Sequence, residues 1–434
     1  MPDTGKKRLR ETTPLCEEWD EYNDFLCLGD PMFELMVVDF DRTDIAFADK
    51  DNRSLKKGYY LFRLVASPLT VKLGAALLRA ALWLRIPVRW AVKPTVFDHF
   101  CGGESIADCE KTISTLGLSN IQTILDYSAE GKESEDDFDY TTDQVKACID
   151  KAADDPHIPY AVFKPTGVVR FGLLEKHQSG EQLNEQEQGE FDRAVNRFES
   201  ICAHGVSKGV PVMIDSEESW IQGTVDQLVE RLMFRFNQDG PMVFNTLQMY
   251  RHDRLDYLER FLRLAGEKQI FAAFKLVRGA YMEKERARAQ NMGYPSPIYP
   301  NKEATDDAFN EATAMLIKKV NRSAVCVGSH NELSAAKAAG LMREMSLQPN
   351  HPHISFAQLL GMSDHISYNL AAAGYNVCKY VPYGPVNTVV PYLIRRAEEN
   401  TSVAGQTSRE LYLIRKEITR RKHLAAEPAE KTKA

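Results

Sequence analysis

Short apolar segments rich in β-branched residues recur along the chain from residue 121 onward, and each is followed by a polar loop and an amphipathic stretch. Eight such segments can be read: Ile121–Asp126, Tyr160–Lys164, Val210–Asp215, Pro241–Thr246, Ile270–Leu276, Ala324–Gly328, His353–Ala357 and Asn376–Val381. Short apolar runs bounded by turn residues are typical of buried strands, whereas the helical period of stretches such as Thr141–Asp154 predicts helices. Strands that alternate with helices pair in parallel.

Eight consecutive strand–helix units predict an α/β fold, a closed (β/α)₈ barrel of the TIM type, which takes roughly 250 residues. A doubly wound open sheet is the alternative, but no GxGxxG motif opens a helix after the first strand. The sequence therefore favours the barrel. We expect residues 1–110 to form a helical region that packs on it, residues 111–402 to form the barrel, and residues 403–434 to form a C-terminal helix and polar tail.

The most apolar stretch, Leu69–Val92, precedes the barrel. Four basic residues interrupt it: Lys72, Arg79, Arg85 and Arg89. Four charges are too many for a helix that spans a membrane. The stretch predicts an amphipathic helix that packs on the domain, and peripheral contact with a membrane surface is the alternative. Residues 1–22 combine basic and acidic side chains without an apolar core, so they resemble neither a secretory signal nor a mitochondrial presequence.

The composition is that of an ordinary globular protein, with 44% hydrophobic and 26% charged residues among 434. A formal net charge of -7 and a pI near 5.9 argue against a nucleic-acid binder, which normally has a basic excess. The eight cysteines form neither a CxxC motif nor a cluster with histidine. They therefore predict no metal site and no disulfide framework, and a reducing cytoplasm fits best.

Charged and polar residues follow the predicted strands at their C-terminal ends, where the chemistry of such barrels is located. They include Asp126, Glu130, Lys164, Asp215, Asn245, Gln248, Lys275, Arg278, Ser329 and His330. Each alone has a structural explanation, such as an ion pair at a strand end or a solvated carboxylate at the rim. Together they predict a binding site for a charged ligand that carries a carboxylate or phosphates.

The segment Tyr383–Asn400 follows the last strand and contains two adjacent arginines. Helical spacing places Tyr392, Arg395, Arg396 and Glu399 in one broad stripe. Two forked guanidinium groups bind a carboxylate or phosphate well. An isolated pair of arginines is also typical of a solvated helix face, and both interpretations remain open at the level of this motif.

Two long segments, Phe274–Ala312 and Tyr380–Asn400, closely resemble proline dehydrogenase, the FAD-dependent first enzyme of proline catabolism. The resemblance extends from Phe100 to Asn400 and is to the monofunctional form, without an aldehyde dehydrogenase domain. It implies oxidation of L-proline to Δ1-pyrroline-5-carboxylate by hydride transfer to FAD, with electrons passed to a membrane quinone. Together with the cytoplasm that the cysteines favour, a membrane quinone as acceptor leads us to expect a cytoplasmic protein, with peripheral contact at the inner membrane as the alternative to a fully detached one.

The resemblance assigns roles to the residues around the substrate. Arg395, Arg396 and Lys164 correspond to the cations that bind the proline carboxylate, and Glu130 to the acidic residue that pairs with the first arginine. The apolar wall around the pyrrolidine ring corresponds to Tyr281, Leu359, Tyr380 and Tyr392. Two residues take catalytic positions: Asp215, which organises the substrate side, and Lys275, a basic residue near the flavin that would stabilise the reduced form.

The resemblance also implies a set of cofactor contacts. These are Gln248, Arg278, Gly279, Ala280, Lys302, Ser329, His330 and Glu399. The absence of a side chain at Gly279 would let the backbone approach FAD closely. Met282 departs from the tryptophan of many bifunctional relatives, so we expect a stacking contact to differ there.

Three other functions compete with this hypothesis. A hydroxyproline dehydrogenase would lack the tyrosine at the strand-eight position, whereas Tyr380 is present and favours proline. A Schiff-base aldolase would use Lys164 or Lys275 as its nucleophile. A barrel that only binds an amino acid is the third alternative.

Overall fold

Eight parallel strands close into a barrel in the structure, a computed structural model that describes residues 37–84, 88–128, 132–402 and 406–431. The strands are β1 Ile121–Tyr127, β2 Tyr160–Phe163, β3 Val212–Ile214, β4 Val243–Gln248, β5 Ala272–Val277, β6 Ser323–Gly328, β7 Ile354–Leu359 and β8 Val377–Tyr383. They pair in sequence order, and β8 closes the barrel on β1 over seven residues, from Ile121 opposite Val377 to Tyr127 opposite Tyr383. The predicted (β/α)₈ barrel and its eight strands are confirmed.

Helices surround the barrel and precede it. Before β1 lie α1 Thr43–Ala46, α2 Asn52–Val65, α3 Pro68–Trp83, α4 Arg89–Val92, α5 Asp98–Phe100 and α6 Glu110–Gly117. Between the strands lie α7 Glu135–Asp154, α8 Phe171–Ser179, α9 Glu185–Lys208, α10 Ser219–Phe236, α11 Arg254–Lys268, α12 Met282–Met292, α13 Lys302–Lys318, α14 Glu332–Glu344 and α15 Asp364–Ala372. After β8 follow α16 Val386–Ser402 and α17 Gln406–Lys431.

Local sequence signals fix the ends of several of these helices. Ser134 accepts a hydrogen bond from the Asp137 backbone at the start of α7, and Asn184 forms a capping box with Glu187 at the start of α9. Such side chains satisfy backbone N–H groups that the first turn leaves without partners. The start of each of these two helices is therefore fixed by its own sequence.

The helices before β1 pack on the helices that follow β8. Phe62 and Val65 of α2 share a buried cluster with Leu413 and Ile414 of α17. Ala75 of α3 belongs to another cluster, which includes residues of α16. Residues 38–434 form one compact unit, which agrees with helices that pack on the barrel, whereas the predicted boundaries at 110 and 402 stay predictions.

Within the described part of the chain, no single helix has both the length and the apolar character needed to cross a bilayer. The helical segments Asn52–Val65 and Leu69–Ala80 are long and apolar enough only when taken together, and the angle between them is 91°. The six described cysteines are all free and buried.

Candidate active site

Four buried side chains and the partly buried Asp215 form a connected group at the mouth of the barrel, the mouth cluster: Asp126, Lys164, Asp215, Lys275 and Tyr380. Lys164 Nζ donates to Asp126 Oδ2 at 2.8 Å and to the Tyr380 hydroxyl oxygen at 3.3 Å. That hydroxyl donates to Asp215 Oδ2 at 2.8 Å, and Lys275 donates to the other oxygen of the same carboxylate. The structure thus brings together four of the predicted residues.

The topology explains why residues far apart in sequence meet here. Parallel strands run toward the same edge of a barrel, so Asp126 of β1, Lys275 of β5, Tyr380 of β8 and the residues that follow β2 and β3 converge. All five side chains are withdrawn from water, and Asp126 has no exposed surface. Buried charges require partners, and two lysines matched by two aspartates provide them.

The pKa values of Asp215 and Tyr380 follow from this arrangement. Burial alone would raise the pKa of Asp215, but the charges of Lys275 and Lys164 and the hydrogen bonds from Lys275 and Tyr380 outweigh it and hold the pKa below its usual value. Burial, together with the Asp126 and Asp215 carboxylates, raises the pKa of Tyr380 well above its ordinary range. The site therefore contains a carboxylate and a neutral phenol that donates to it.

The two predicted arginines lie on α16, each against an aromatic ring. The Arg395 guanidinium is 5.8 Å from the centre of the Tyr281 ring, and the Arg396 guanidinium is 5.2 Å from that of Tyr392. Rings at these distances hold a guanidinium by cation–π attraction and limit its motion. Tyr392 belongs to a buried cluster against which Leu359 packs. The structure thus places Tyr281 beside Arg395 and Tyr392 beside Arg396, whereas the predicted substrate contacts of these residues stay predictions.

Two predicted residues cannot be located. Glu130 and the side chain of Glu399 lie outside the described residues. The pairing of Glu130 with the first arginine and the cofactor contact of Glu399 stay predictions.

The predicted cofactor residues line the ends of β4, β5 and β6. Gln248 donates to the Glu217 carbonyl at 2.6 Å and accepts from the Ala280 backbone at 3.2 Å. Its amide therefore fastens the loop after β5 to the loop after β3. Because both ends of the Gln248 amide are engaged within the protein, its surroundings are fixed before any ligand binds.

Arg278 lies at the centre of the second part of this region. Its guanidinium donates to Asp306 Oδ1 at 2.6 Å, Ser329 Oγ at 2.5 Å and Ser334 Oγ at 2.8 Å. Lys302 also donates to Asp306, at 2.5 Å. Two cations that share one carboxylate leave positive charge for an anionic ligand such as a phosphate.

His330 completes the region from the end of β6. Its Nδ1 is 2.9 Å from the Ser363 hydroxyl. Burial, with the positive charges of Lys379 and Arg396, lowers the pKa of His330 to about 3. The imidazole is therefore neutral at physiological pH, with one nitrogen held by Ser363.

Gly279 has a φ of 137°, a conformation that other residues rarely adopt. A Cβ atom at this position would lie 2.5 Å from the ring of Tyr250. The close packing of Tyr250 thus explains why position 279 is occupied by glycine, and the sequence did not reveal this. The predicted approach of a cofactor to its backbone stays a prediction.

Sequence reasoning missed several partners of these residues. Asp126 was noted at a strand end without a role, although it holds Lys164. Asp306 was overlooked, although it follows Lys302 by four residues, the spacing of a helical ion pair, and α13 does contain both. Gln358 is buried and donates to the Ser329 carbonyl at 3.0 Å, and no local pattern pointed to that contact.

An open cleft adjoins the arginine side of the site. It has a volume of about 890 Å³ and is lined by residues that include Thr166, Phe171, Trp220, Tyr281, Arg288 and Arg395. The cleft connects the ring of Tyr281 and the Arg395 guanidinium with solvent, so a small zwitterion has a route to both.

A second ionic group, the outer cluster, consists of the buried Asp364 and Lys379 and the partly exposed Lys50. Lys379 Nζ is 2.8 Å from Asp364 Oδ1 and donates to the Met362 carbonyl at 2.6 Å, and Lys50 Nζ is 3.4 Å from Asp364 Oδ2. Burial would raise the pKa of Asp364, but Lys379 and Lys50 lower it far below its usual range. This cluster lies beside the loop that connects β7 to α15.

Comparison with known proteins fits this geometry. The family model for proline dehydrogenase matches residues 109–409. The chain belongs to the proline dehydrogenase family. It is similar to "Proline dehydrogenase 2, mitochondrial" of Arabidopsis thaliana, with 31% identity over 88% of this chain and 91% of that protein.

Other proteins are similar to this chain as well. The carbapenem antibiotics biosynthesis protein CarD of Pectobacterium carotovorum is 33% identical over 74% of this chain and 83% of that protein. The hydroxyproline dehydrogenase of Xenopus laevis is 29% identical over 86% of this chain and 88% of that protein. The crystal structure of proline utilization A from Bdellovibrio bacteriovorus shares the fold, with a TM-score of 0.65 and 17% identity, over 89% of this chain and 42% of that longer chain.

Proposed function

We propose that this protein oxidises L-proline to Δ1-pyrroline-5-carboxylate, with FAD as its cofactor and a quinone as the final electron acceptor. The observation that carries the proposal is the position of Arg395 and Arg396 on α16, each against an aromatic ring, in a chain of the proline dehydrogenase family. Paired guanidinium groups at the mouth of a barrel are suited to a carboxylate that leaves water.

The residues at the ends of β4–β6 fit FAD by the chemistry of their donor groups. Arg278 and Lys302 supply positive charge for a pyrophosphate, while the Ser329 hydroxyl, the neutral His330 ring and the Gln248 amide supply uncharged polar groups. FAD, when bound, supplies the group that accepts the hydride. We assign the holding of that cofactor to these five residues.

The mouth cluster and the ring wall have separate tasks. Proline is a zwitterion, so the arginines bind its carboxylate, while Tyr281, Tyr392 and Leu359 supply apolar surface for the ring. Lys275 carries a charge that Asp215 fixes in place. We assign to Lys275 the stabilisation of the negative charge that a bound flavin would gain on accepting the hydride.

A Schiff-base aldolase is a poorer fit to the same site. That chemistry needs a lysine nitrogen whose lone pair can attack a carbonyl. Lys164 and Lys275 both donate hydrogen bonds to aspartate oxygens instead. The structure therefore gives neither lysine the surroundings of a nucleophile.

Hydroxyproline is the second candidate substrate, because one similar protein is a hydroxyproline dehydrogenase. Tyr380 decides between the two amino acids in our proposal. Its hydroxyl is fixed by Asp215 and Lys164, so the ring cannot turn away without breaking two buried hydrogen bonds. A fixed tyrosine ring favours the substrate without an additional hydroxyl group.

An anaerobic titration of the FAD-loaded protein with L-proline tests the proposed reaction. We expect the absorbance of oxidised flavin to disappear with L-proline and to persist with D-proline. A protein that acquires no flavin spectrum when FAD is added would contradict the cofactor assignment. A flavin that binds but is not reduced by L-proline would contradict the substrate instead.

The location and the acceptor are proposed together. Several similar proteins are named as mitochondrial enzymes. For this chain we propose a cytoplasmic protein that reaches a quinone at the inner surface of a membrane. Reduction of a short-chain quinone during L-proline oxidation would support the acceptor, and transfer only to dyes would contradict it.

A further inference from the structure

Helix α3 is apolar on two opposite faces. Val71, Ala75 and the partly buried Leu78 face the protein. Leu69, Leu73 and Leu77 follow one another at intervals of four residues on the other side and are 78%, 60% and 63% exposed. We call these three leucines the outer stripe. A surface helix normally presents polar residues on its solvent face, so the outer stripe requires an explanation.

Large exposed hydrophobic side chains are concentrated around this helix. Eight of the seventeen among the described residues lie between positions 60 and 90: Tyr60, Leu64, Leu69, Leu73, Leu77, Trp83, Leu84 and Trp90. Singly exposed apolar side chains are normal on protein surfaces, whereas a concentration in one short segment is typical of an interaction surface.

The charges of the same segment have one sign. Residues 52–97 contain nine lysines and arginines and no aspartate or glutamate, although the whole chain has a net charge of -7. Lys56, Lys57 and Lys72 are among its exposed side chains. Leucine and tryptophan combined with lysine and arginine are typical of helices that lie in the interface of an anionic membrane.

A second copy of this chain is a poorer occupant of the outer stripe. In a twofold dimer the same surface would face itself, so exposed lysines such as Lys56, Lys57 and Lys72 on each side would be brought together. An anionic bilayer would bury the apolar outer stripe among its acyl chains and would attract the basic residues around it through its headgroups. The bilayer is therefore the occupant that the surface favours.

The inner face of α3 connects this surface with the candidate active site. Ala75 and Leu78 pack in the buried cluster that also contains Val389, Tyr392 and Leu393 of α16. Helix α16 carries Arg395 and Arg396. The outer stripe therefore lies on the far side of α3 from the helix of the proposed substrate site. We propose that the outer stripe of α3 docks the protein on an anionic lipid bilayer and brings the barrel mouth to an acceptor dissolved in the lipid. The second half of this proposal rests on the proposed function.

Vesicle flotation with the FAD-loaded full chain tests the docking surface. The vesicles contain phosphatidylcholine with phosphatidylglycerol, and phosphatidylcholine alone serves for comparison. We expect binding to the anionic vesicles that salt weakens, and about tenfold or greater loss in the double variant Leu73→Glu/Leu77→Glu. Both positions are exposed, so circular dichroism should show an unchanged fold.

Leu118→Glu is the matched control, because Leu118 is 89% exposed and directly follows α6. It should bind vesicles as the unmodified protein does. Lys56→Gln/Lys57→Gln/Lys72→Gln should reduce binding to anionic vesicles. No vesicle binding by the unmodified protein, or equal binding by Leu73→Glu/Leu77→Glu, would overturn the proposal. A dimer that this double variant dissociates, without any vesicle binding, would identify a second copy as the occupant and would also overturn it.

Activity separates the docking surface from the proposed function. With a water-soluble dye as acceptor, Leu73→Glu/Leu77→Glu should turn over L-proline at the rate of the unmodified protein. With a long-chain quinone in anionic vesicles, its rate should fall about tenfold or more. Equal rates with the vesicle quinone would contradict the delivery of the mouth to the membrane. If the unmodified protein fails with the dye, the proposed reaction is wrong, whereas flotation still tests the surface.

Discussion

Lys379 and Tyr380 are adjacent in β8, yet they belong to two different buried clusters. Alternation along a strand sends Tyr380 to the mouth cluster and Lys379, which has no exposed surface, to the outer cluster. Both clusters pair lysine with aspartate. Arg395 and Tyr281, which the resemblance places around the same substrate as Tyr380, line an open cleft, whereas the backbone carbonyls of Leu359 and Met362 complete the shell of Lys379. A buried ion pair therefore marks a ligand site only where space for a ligand adjoins it.

The largest effect should come from the outer cluster. Lys379→Met leaves Asp364 buried with Lys50 as its remaining lysine, and we expect the free energy of unfolding to fall by about 3–5 kcal/mol. Turnover of the remaining folded, FAD-loaded protein should change little. Denaturant unfolding and active-site titration measure the two quantities.

Lys50→Met is the control for that experiment, because the Lys50 side chain is about a third exposed. Its removal should cost roughly 1 kcal/mol or less. If Lys379→Met instead abolished turnover in a stable protein, the division between an outer structural cluster and a catalytic one would be wrong.

Arg396→Met tests the proposed substrate site beside the mouth cluster. The change removes one charge-assisted carboxylate contact and should lower kcat/KM for L-proline by roughly 30- to 1000-fold, about 2–4 kcal/mol. FAD content and the unfolding free energy should stay near those of the unmodified protein. Steady-state kinetics and flavin absorbance give both answers.

Arg415→Met is a matched control, since the Arg415 guanidinium lies 5.3 Å from the centre of the Tyr59 ring on another part of the surface. It should leave kcat/KM unchanged. Loss of FAD without weaker binding of carboxylate analogues in Arg396→Met would reverse the assignment of that face. If Arg396→Met changed neither FAD content nor the binding of carboxylate analogues, the arginine pair would be part of a solvated helix face.

Tyr380 of the mouth cluster is proposed to determine the choice between proline and hydroxyproline. Tyr380→Ser should weaken proline and improve tolerance of trans-4-hydroxyproline, because it exchanges packing of roughly 1–3 kcal/mol for space near the ring. Tyr380→Phe keeps the wall and removes only the two hydroxyl hydrogen bonds, so its preference should remain with proline. Identical ratios of kcat/KM for the two substrates in all three proteins would show that Tyr380 does not set this selectivity.

The smallest effect is a pH dependence of folding near the outer cluster. His99 Nε2 is 3.0 Å from the Gly361 carbonyl, and burial, against the opposing charge of Asp364, lowers the His99 pKa to about 4. The unfolded chain therefore binds a proton below pH ~6.5 that the folded chain does not, so stability falls as the pH is lowered from there toward 4.

The corresponding experiment compares the unmodified protein with His99→Gln. The free energy of unfolding of the unmodified protein should lose about 1.4 kcal/mol more per pH unit in that window. Urea unfolding at several pH values provides the slopes. Parallel slopes would mean that His99 titrates normally in the folded protein.

The sequence predicted the barrel because each strand is a local pattern. The apolar run at Ile121–Asp126 differs from the observed β1 by one residue, and the repeat of eight fixed the closure. The C-terminal ends of strands then identified Lys164, Asp215, Lys275 and Tyr380 as neighbours without any coordinates. Such residues can be found because parallel topology alone brings them together.

The outer cluster could not be predicted in the same way. Lys379 follows a cysteine in an apolar strand, and its partner Asp364 begins a helix after an irregular loop. No repeat or motif relates Lys50 to either of them. Partner choice there depends on how loops and preceding helices pack, which is a property of the tertiary structure.

Helix α17 has a consequence for the order in which the protein is built. Its Glu410 accepts a hydrogen bond from the backbone of Ser363, whose hydroxyl holds His330 at the proposed cofactor site. The same helix packs on α2, which is synthesised long before it. During translation the His330 support therefore cannot be completed until the chain after β8 has left the ribosome. We therefore expect the cofactor to bind only after nearly the whole chain has been synthesised. Until then the incomplete barrel should expose apolar surface that chaperones bind.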